Sequence, residues 1–141
     1  MLKHKELLNT VITLTQVNSY FTKVLNENIS KFGLNLTDFS VLDLLFQKGE
    51  QTTQKIGEKI LITSGSITYI VNKLEKMKLI CRNKSEADKR ITYIKLTEKG
   101  RETIFELLPL QIEKINEIFS DFSREDLINL NHLLKKFNFS F

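Results

Sequence analysis

The stretch TTQKIGEKILITSGSITYIVNKLEKMKLICR, residues 52–82, continued by ADKRITYIKLTEKG, residues 87–100, decides the fold. Thr52 caps a short helix, TQKIGEKI, and Thr63 caps a second, SGSITYIVNKLEKMK. Only Leu61–Ile62–Thr63 joins them, so the two helices must cross steeply, as in a helix-turn-helix. Gly57, without a side chain, lets the two backbones approach. In the second helix Ile67, Ile70, Val71 and Leu74 recur three and four apart and form the buried stripe. Ser64, Ser66, Thr68, Tyr69, Asn72 and Lys73 lie outside it, on a polar face with few acids. Leu79–Asn83 then reads as a strand, and ITYIKLT, residues 91–97, as its antiparallel partner. The polar hairpin tip KSEADKR, residues 84–90, connects them. Two antiparallel strands after a helix-turn-helix make a winged helix.

The flanks are helical. Leu7, Leu8, Val11, Leu14, Val17, Phe21, Val24, Leu25 and Ile29 space out one long helix over residues 5–29, with Gly33 near its end. DFSVLDLLFQK, residues 38–48, is a second helix, capped by Thr37 or Asp38 and ended by Gly49. Thr97 caps a long helix that Pro109 is expected to kink or break. Ser123-Arg124-Glu125-Asp126 resembles a capping box and opens a last helix bearing Leu127, Leu130, Leu133, Leu134 and Phe137. The expected fold is mainly α with a small two- or three-stranded antiparallel wing. The chain divides into an N-terminal dimerisation helix (1–36), a winged helix-turn-helix lobe (37–100) and C-terminal dimerisation helices (101–141), all one intertwined domain.

Composition excludes several function classes. The 141 residues suit one domain, and 41% apolar with 27% charged residues is an ordinary globular mix. No run approaches the ~20 apolar residues of a membrane span, and MLKHKELLNT lacks the apolar core of a signal peptide, so a cytoplasmic location is expected. One cysteine excludes an internal disulfide. His4 and His132 lack partners at ligand spacing, so no metal or other cofactor is expected. The five glycines form neither a dinucleotide fingerprint nor a phosphate loop, and no nucleophile–base pair is readable, so the chain is not expected to be an enzyme.

The net charge of +4 is small but unevenly placed. Residues 1–51 carry five Lys and five acids; residues 52–100 carry eleven Lys and Arg against five acids; residues 101–141 carry five against seven. A basic centre between neutral and acidic arms is the footprint expected for a polyanion. The apolar stripes of the arms are wider than the central lobe can cover, and a two-fold homodimer is the simplest solution. It would set two recognition helices about one turn, ~34 Å, apart on B-DNA, matching a pseudo-palindromic operator.

Residues 52–100 resemble the winged helix-turn-helix of the MarR family of transcriptional regulators. The pair Asp88-x-Arg90, followed by LTEKG, is similar to the family's wing, and SREDLINLNHLLKKF is similar to its closing helix. The sub-pattern ILITSGSITYIVNKLE resembles the quinone- and hydroquinone-responsive MhqR-like branch. One departure stands out. The family usually has Lys-x-Gly-Leu after the recognition helix, and here it is Lys76-Met77-Lys78-Leu79, so Lys78 must adopt a positive φ or end the helix differently.

The resemblance implies a homodimeric DNA-binding regulator, a ligand-responsive repressor of a stress, resistance or catabolic operon. The alternative is a winged-helix protein–protein module that does not bind DNA. Ser64, Gly65 and Ser66 would enter the major groove of double-stranded DNA, with Ser66 equally suited to capping its own helix. Thr68 and Tyr69 would touch bases or thymine methyls, Asn72 lies on the same face, and Lys73 would bind phosphate. Arg90 would enter the minor groove, aimed by Asp88, with Lys84 and Lys89 on phosphates. A small aromatic or phenolic effector would lie among Tyr20, Phe21, Phe39, Leu42 and Phe105, each of which also reads as core packing. Cys81 invites a redox-sensor role, because relatives sense oxidants through cysteine, but a lone strand cysteine is more often a small apolar residue.

Overall fold

A computed structural model describes residues 2–60 and 64–138. The order is α1 (Leu2–Ile29), a single 3-10 turn (Ser30–Phe32), α2 (Leu36–Lys48), β1 (Gln51–Thr52), α3 (Thr53–Ile60), α4 (Ser64–Lys76), β2 (Ile80–Lys84), β3 (Thr92–Leu96), α5 (Glu98–Ile118) and α6 (Arg124–Leu134). The expected link Leu61–Ile62–Thr63, and with it the Thr63 cap, lies outside the described residues.

Local chemistry sets most boundaries. Gly33 closes the 3-10 turn in the left-handed region (φ 73°), a conformation that costs glycine nothing in sterics. Helix α2 starts earlier than the Thr37 or Asp38 cap would allow. Asn35 is the cap: its side chain accepts from the Asp38 amide, and Asp38 Oδ2 accepts from the Asn35 amide, both at 2.9 Å. This reciprocal box satisfies two amides that the first turn would leave orphaned. The Lys55 amide donates to Thr52 Oγ1 (3.2 Å), so Thr52 does cap α3. Ser123 and Asp126 form a second capping box at the start of α6. Those backbone and side-chain bonds from Ser123 hold the Asp126 carboxyl below its ordinary pKa.

The sheet is three-stranded in the order β1-β3-β2, antiparallel throughout. Ile80 pairs with Leu96 and Lys84 with Thr92, so the wing is a regular hairpin. Gln51 opposite Ile94 adds the short third strand. Val41 and Leu42 from α2, Ile56 from α3, Leu74 from α4, Ile94 from β3 and Ile104 from α5 close one core, each essentially inaccessible to solvent. Each such side chain stabilises the fold by ~1.5–3 kcal/mol through its removal from water.

The passage from α4 through the wing to α5 is tightly tied. Lys78 takes a positive φ of 63°, the first of the two outcomes its sequence allowed. This costs a non-glycine residue about 1 kcal/mol. The Thr97 amide donates to the Leu79 carbonyl (3.0 Å), Thr97 Oγ1 to the Lys78 carbonyl (2.6 Å) and Lys99 Nζ to the Met77 carbonyl (3.1 Å). These donors satisfy carbonyls at the end of α4 that the helix itself leaves open. Gly100 is required here, because a Cβ would lie 1.9 Å from the Leu79 carbonyl oxygen.

Pro109 does not break α5, which runs unbroken from Glu98 to Ile118. Packing overrides the lost amide: Ile104, Leu107 and Gln111 are buried on either side of the proline. Gln111 Nε2 also donates to the Leu25 carbonyl of α1 (3.1 Å). Lys114 bridges Glu27 (3.4 Å) and Glu117 (3.5 Å), and these carboxylates, Glu27 foremost, raise its pKa. Two contacts of different chemistry therefore join α1 to α5.

Candidate nucleic-acid interface

Helix α4 presents two contrasting faces. Ile67, Ile70, Val71 and Leu74 are buried as the spacing requires. Gly65, Ser66, Thr68, Tyr69 and Asn72 are exposed. Ser64 is the first residue of the helix. Tyr69 keeps 69% of its surface in solvent, unusual for an aromatic ring within a helix that packs on a core. A Cβ on Gly65 would meet nothing within 4 Å, so no contact inside the chain requires that glycine. The first turn of α4 is thus a small, open surface.

Lys73, Asn72 and Glu75 of α4 have partners that the sequence did not reveal. Lys73 Nζ pairs with Asp38 Oδ2 at 2.5 Å, and the Asp38 side chain is fully buried. The phosphate role expected for Lys73 therefore meets a competing one: its ammonium neutralises a carboxylate of the α2 capping box. A buried charge is stable only when paired and hydrogen-bonded. Asn72 Oδ1 accepts from Arg82 Nη2 of β2, and Arg82 Nε lies 3.3 Å from Glu75 Oε2. Arg82 belongs to the same surface although its place in a strand gave no such signal. An Asn-x-x-Asp spacing at 35–38 could have revealed the cap; nothing local could have revealed the contact across to Lys73.

At the wing, Arg90 grips Asp88 with two parallel bonds, Nε to Oδ1 and Nη2 to Oδ2, both 3.1 Å. The Arg90 amide also donates to Asp88 Oδ1 (3.0 Å). The Arg90 side chain is nonetheless 90% exposed, so it is held in aim without being covered. The guanidinium and amide of Arg90 hold the Asp88 carboxyl below its ordinary pKa. The Ser85 amide donates to the Ile91 carbonyl and the Ile91 amide to the Asp88 carbonyl, closing the loop beneath them. Lys84 and Lys89 are exposed on the same hairpin.

The five expected effector residues are not alike in setting. Leu42 is sealed in the core and Phe39 packs part-buried against it. Their side chains fill interior volume, the core-packing alternative that the sequence left open for them. Tyr20 and Phe21 join an aromatic row on which Phe119 and Phe122 continue, with Phe21 and Phe119 centroids 5.9 Å apart. Phe105 is 71% exposed. Cys81 is half-buried and opposite Lys95 on β3. Among the described residues no group of three His, Cys, Asp or Glu side chains could hold a metal, and no helix is long and apolar enough to cross a membrane.

A helix-turn-helix with an exposed polar second helix and an arginine-tipped hairpin defines a DNA-binding regulator of transcription. Residues 23–107 match the family model for the transcriptional regulator SarA/Rot. The HTH-type transcriptional regulator MhqR of Bacillus subtilis is 40% identical over 129 residues, covering 92% of this chain and 89% of that protein. The structure of the organohalide-sensing regulator RdhR in its 2,4-dichlorophenol-bound form is similar with a TM-score of 0.81 at 26% identity, covering 96% of this chain and 79% of that one. A mutant of E. coli MarR in complex with operator DNA shares the fold, with a TM-score of 0.85 at 22% identity over 93% of this chain and 94% of that one. The chain belongs to the MarR-like winged-helix transcriptional regulators, in their MhqR branch.

Proposed function

We propose that the chain works as a homodimeric repressor that binds a pseudo-palindromic operator and releases it on binding a small aromatic or phenolic effector. The observation that carries this reading is the uncovered apolar face of the arms. Leu7, Leu8, Val11 and Ile12 of α1, Ile112 and Ile115 of α5, and Ile128, Leu133 and Leu134 of α6 are exposed in the single chain. Large exposed apolar side chains in such number mark an association site. Pairing it about a two-fold axis would direct both α4 helices toward one side of the dimer.

In this reading the Ser64–Ser66 turn enters the major groove, and Thr68 and Tyr69 reach base edges. Lys84 and Lys89 meet phosphates. Arg90, pre-aimed by Asp88, enters the adjacent minor groove. Lys73 acts chiefly from behind, by joining α4 to α2. The effector binds where α1, α2 and α5 meet, beside Tyr20 and Phe21. The phenolic ligand in the RdhR structure supports that chemical class. Effector binding lowers operator affinity by favouring a different separation of the two α4 helices. The target is a stress, resistance or catabolic operon read in the cytoplasm.

The test combines sedimentation with titration of duplexes bearing the chain's own upstream DNA. A dimer is expected, with affinity falling steeply and linearly on a log–log salt axis, and with release by substituted phenols or quinones. A monomer would overturn the assembly. Salt-independent or absent DNA binding would favour a protein–protein module, and release by no aromatic compound would remove the effector.

A further inference from the structure

The contact between Arg82 and Asn72 carries a consequence for which DNA base the recognition helix prefers. Gly65, Thr68, Tyr69 and Asn72 follow one another at three- and four-residue steps, so they share one exposed face of α4. Asn72 is the only amide side chain on that face, and an amide can present either a donor or an acceptor to a base.

A guanidinium has five N–H donors and no acceptor. The Asn72 atom that meets Arg82 Nη2 must therefore be the carbonyl oxygen, Oδ1. Flipping the amide would set donor against donor. Glu75, one turn further along α4, takes the Nε edge of the same guanidinium at 3.3 Å. Arg82 is thus fixed by two residues of the helix it serves, and its charge is balanced by Glu75. Arg82 takes one of the two lone pairs of Oδ1 and turns the oxygen toward β2, so Asn72 meets a base chiefly through the two N–H bonds of Nδ2.

The major groove distinguishes the two purines by this polarity. Adenine shows an acceptor, N7, beside a donor, N6–H, and an asparagine reads it by using both its amide atoms. Guanine shows two acceptors, N7 and O6. An amide whose oxygen is drawn to a guanidinium keeps its donors for guanine and is a poorer match to adenine, which needs that oxygen as well. We infer that Arg82 sets the hydrogen-bonding polarity of Asn72, so that α4 selects guanine over adenine at one base pair of each half-site. The inference rests on α4 being the DNA-reading helix. Arg82 is a positioning residue in this scheme: it acts on the base through Asn72.

Selection of bound duplexes from a randomised pool, with the full-length chain, tests it. The wild type is expected to select a guanine at a position where Asn72→Ala weakens the preference about tenfold. Arg82→Met frees Oδ1 and is expected to move that same position from guanine toward adenine. Arg82→Lys, which still donates to Oδ1, keeps guanine. The Asn72→Ala, Arg82→Met double variant matches Asn72→Ala alone at that position. A merely structural role for Arg82 would weaken all sequences together and leave the preferred base unchanged, so an unshifted guanine in Arg82→Met overturns the inference. So does an Asn72→Ala profile identical to wild type. Circular dichroism shows whether each variant is folded; should Arg82→Met unfold, Arg82→Ala, which also frees Oδ1, is read in its place with the same two outcomes. A wild type that binds no duplex overturns the DNA-reading role of α4 itself, and with it the roles of both residues.

Discussion

The winged lobe and the helical arms have similar apolar residues but treat them differently. In the lobe, Val41, Leu42, Ile56, Leu74 and Ile94 are fully enclosed by their own chain. In the arms, Leu8 is 66% and Val11 61% exposed, although both sit on a regular helical stripe. Amphipathic spacing says that a face is to be buried; it does not say by what. Several elements meet over the lobe, whereas most of α1 before its last turns is exposed among the described residues.

The largest expected effect comes from the arms. Leu8→Asp with Val11→Asp sets unpaired carboxylates in the proposed dimer face, where burying a charge is prohibitive. Sedimentation should show a monomer, and operator affinity should fall about 100-fold because two linked half-site contacts become one. A persisting dimer would show that α1 is covered in another way. Next comes the lobe: Leu74→Ala should cost about 3 kcal/mol in urea unfolding and leave the dimer contact unaffected once folded. If that variant also dissociates, the two regions are not as separate as their burial indicates.

A smaller effect is expected at the wing. Arg90→Ala should weaken operator binding about tenfold at fixed salt, with unchanged unfolding, since Arg90 is almost wholly exposed. Its loss should also let the Asp88 carboxyl titrate at a higher pH, visible by NMR. The sign follows from the depressed pKa: the pair is intact above the ordinary carboxylate range and is lost as pH falls through the Asp88 value. Equal affinity of Arg90→Ala and wild type would remove the wing from the DNA contact. The smallest change is a gain. Lys78→Gly should raise stability by about 1 kcal/mol or less by relieving the left-handed backbone, shifting the urea midpoint without changing the slope.

Much of the lobe was legible because its cues are local. Thr52, Thr97 and Ser123 cap helices as their neighbours required, and the α4 stripe is buried residue for residue. What the sequence left open was decided by contacts between distant residues. Of the two outcomes expected at Pro109 the break does not occur, and Leu107 and Gln111 are buried on either side of it. Lys73 was read as a phosphate contact, and Asp38, thirty-five residues away, is a partner that spacing did not reveal. Phe39 and Leu42 were read as pocket walls or as core, and Leu42 is buried in the core.

The sequence by itself determined the helix-turn-helix, the wing, the basic centre and the polar outer face of α4, since spacing, caps and charge act over a few residues. Only the tertiary structure decided which of those polar groups are already engaged. Asn72 meets Arg82, Lys73 meets Asp38 and Gly100 meets the Leu79 carbonyl because separate elements converge. Hydrogen bonds and ion pairs act over a few ångströms of space, and no spacing along the chain encodes that distance.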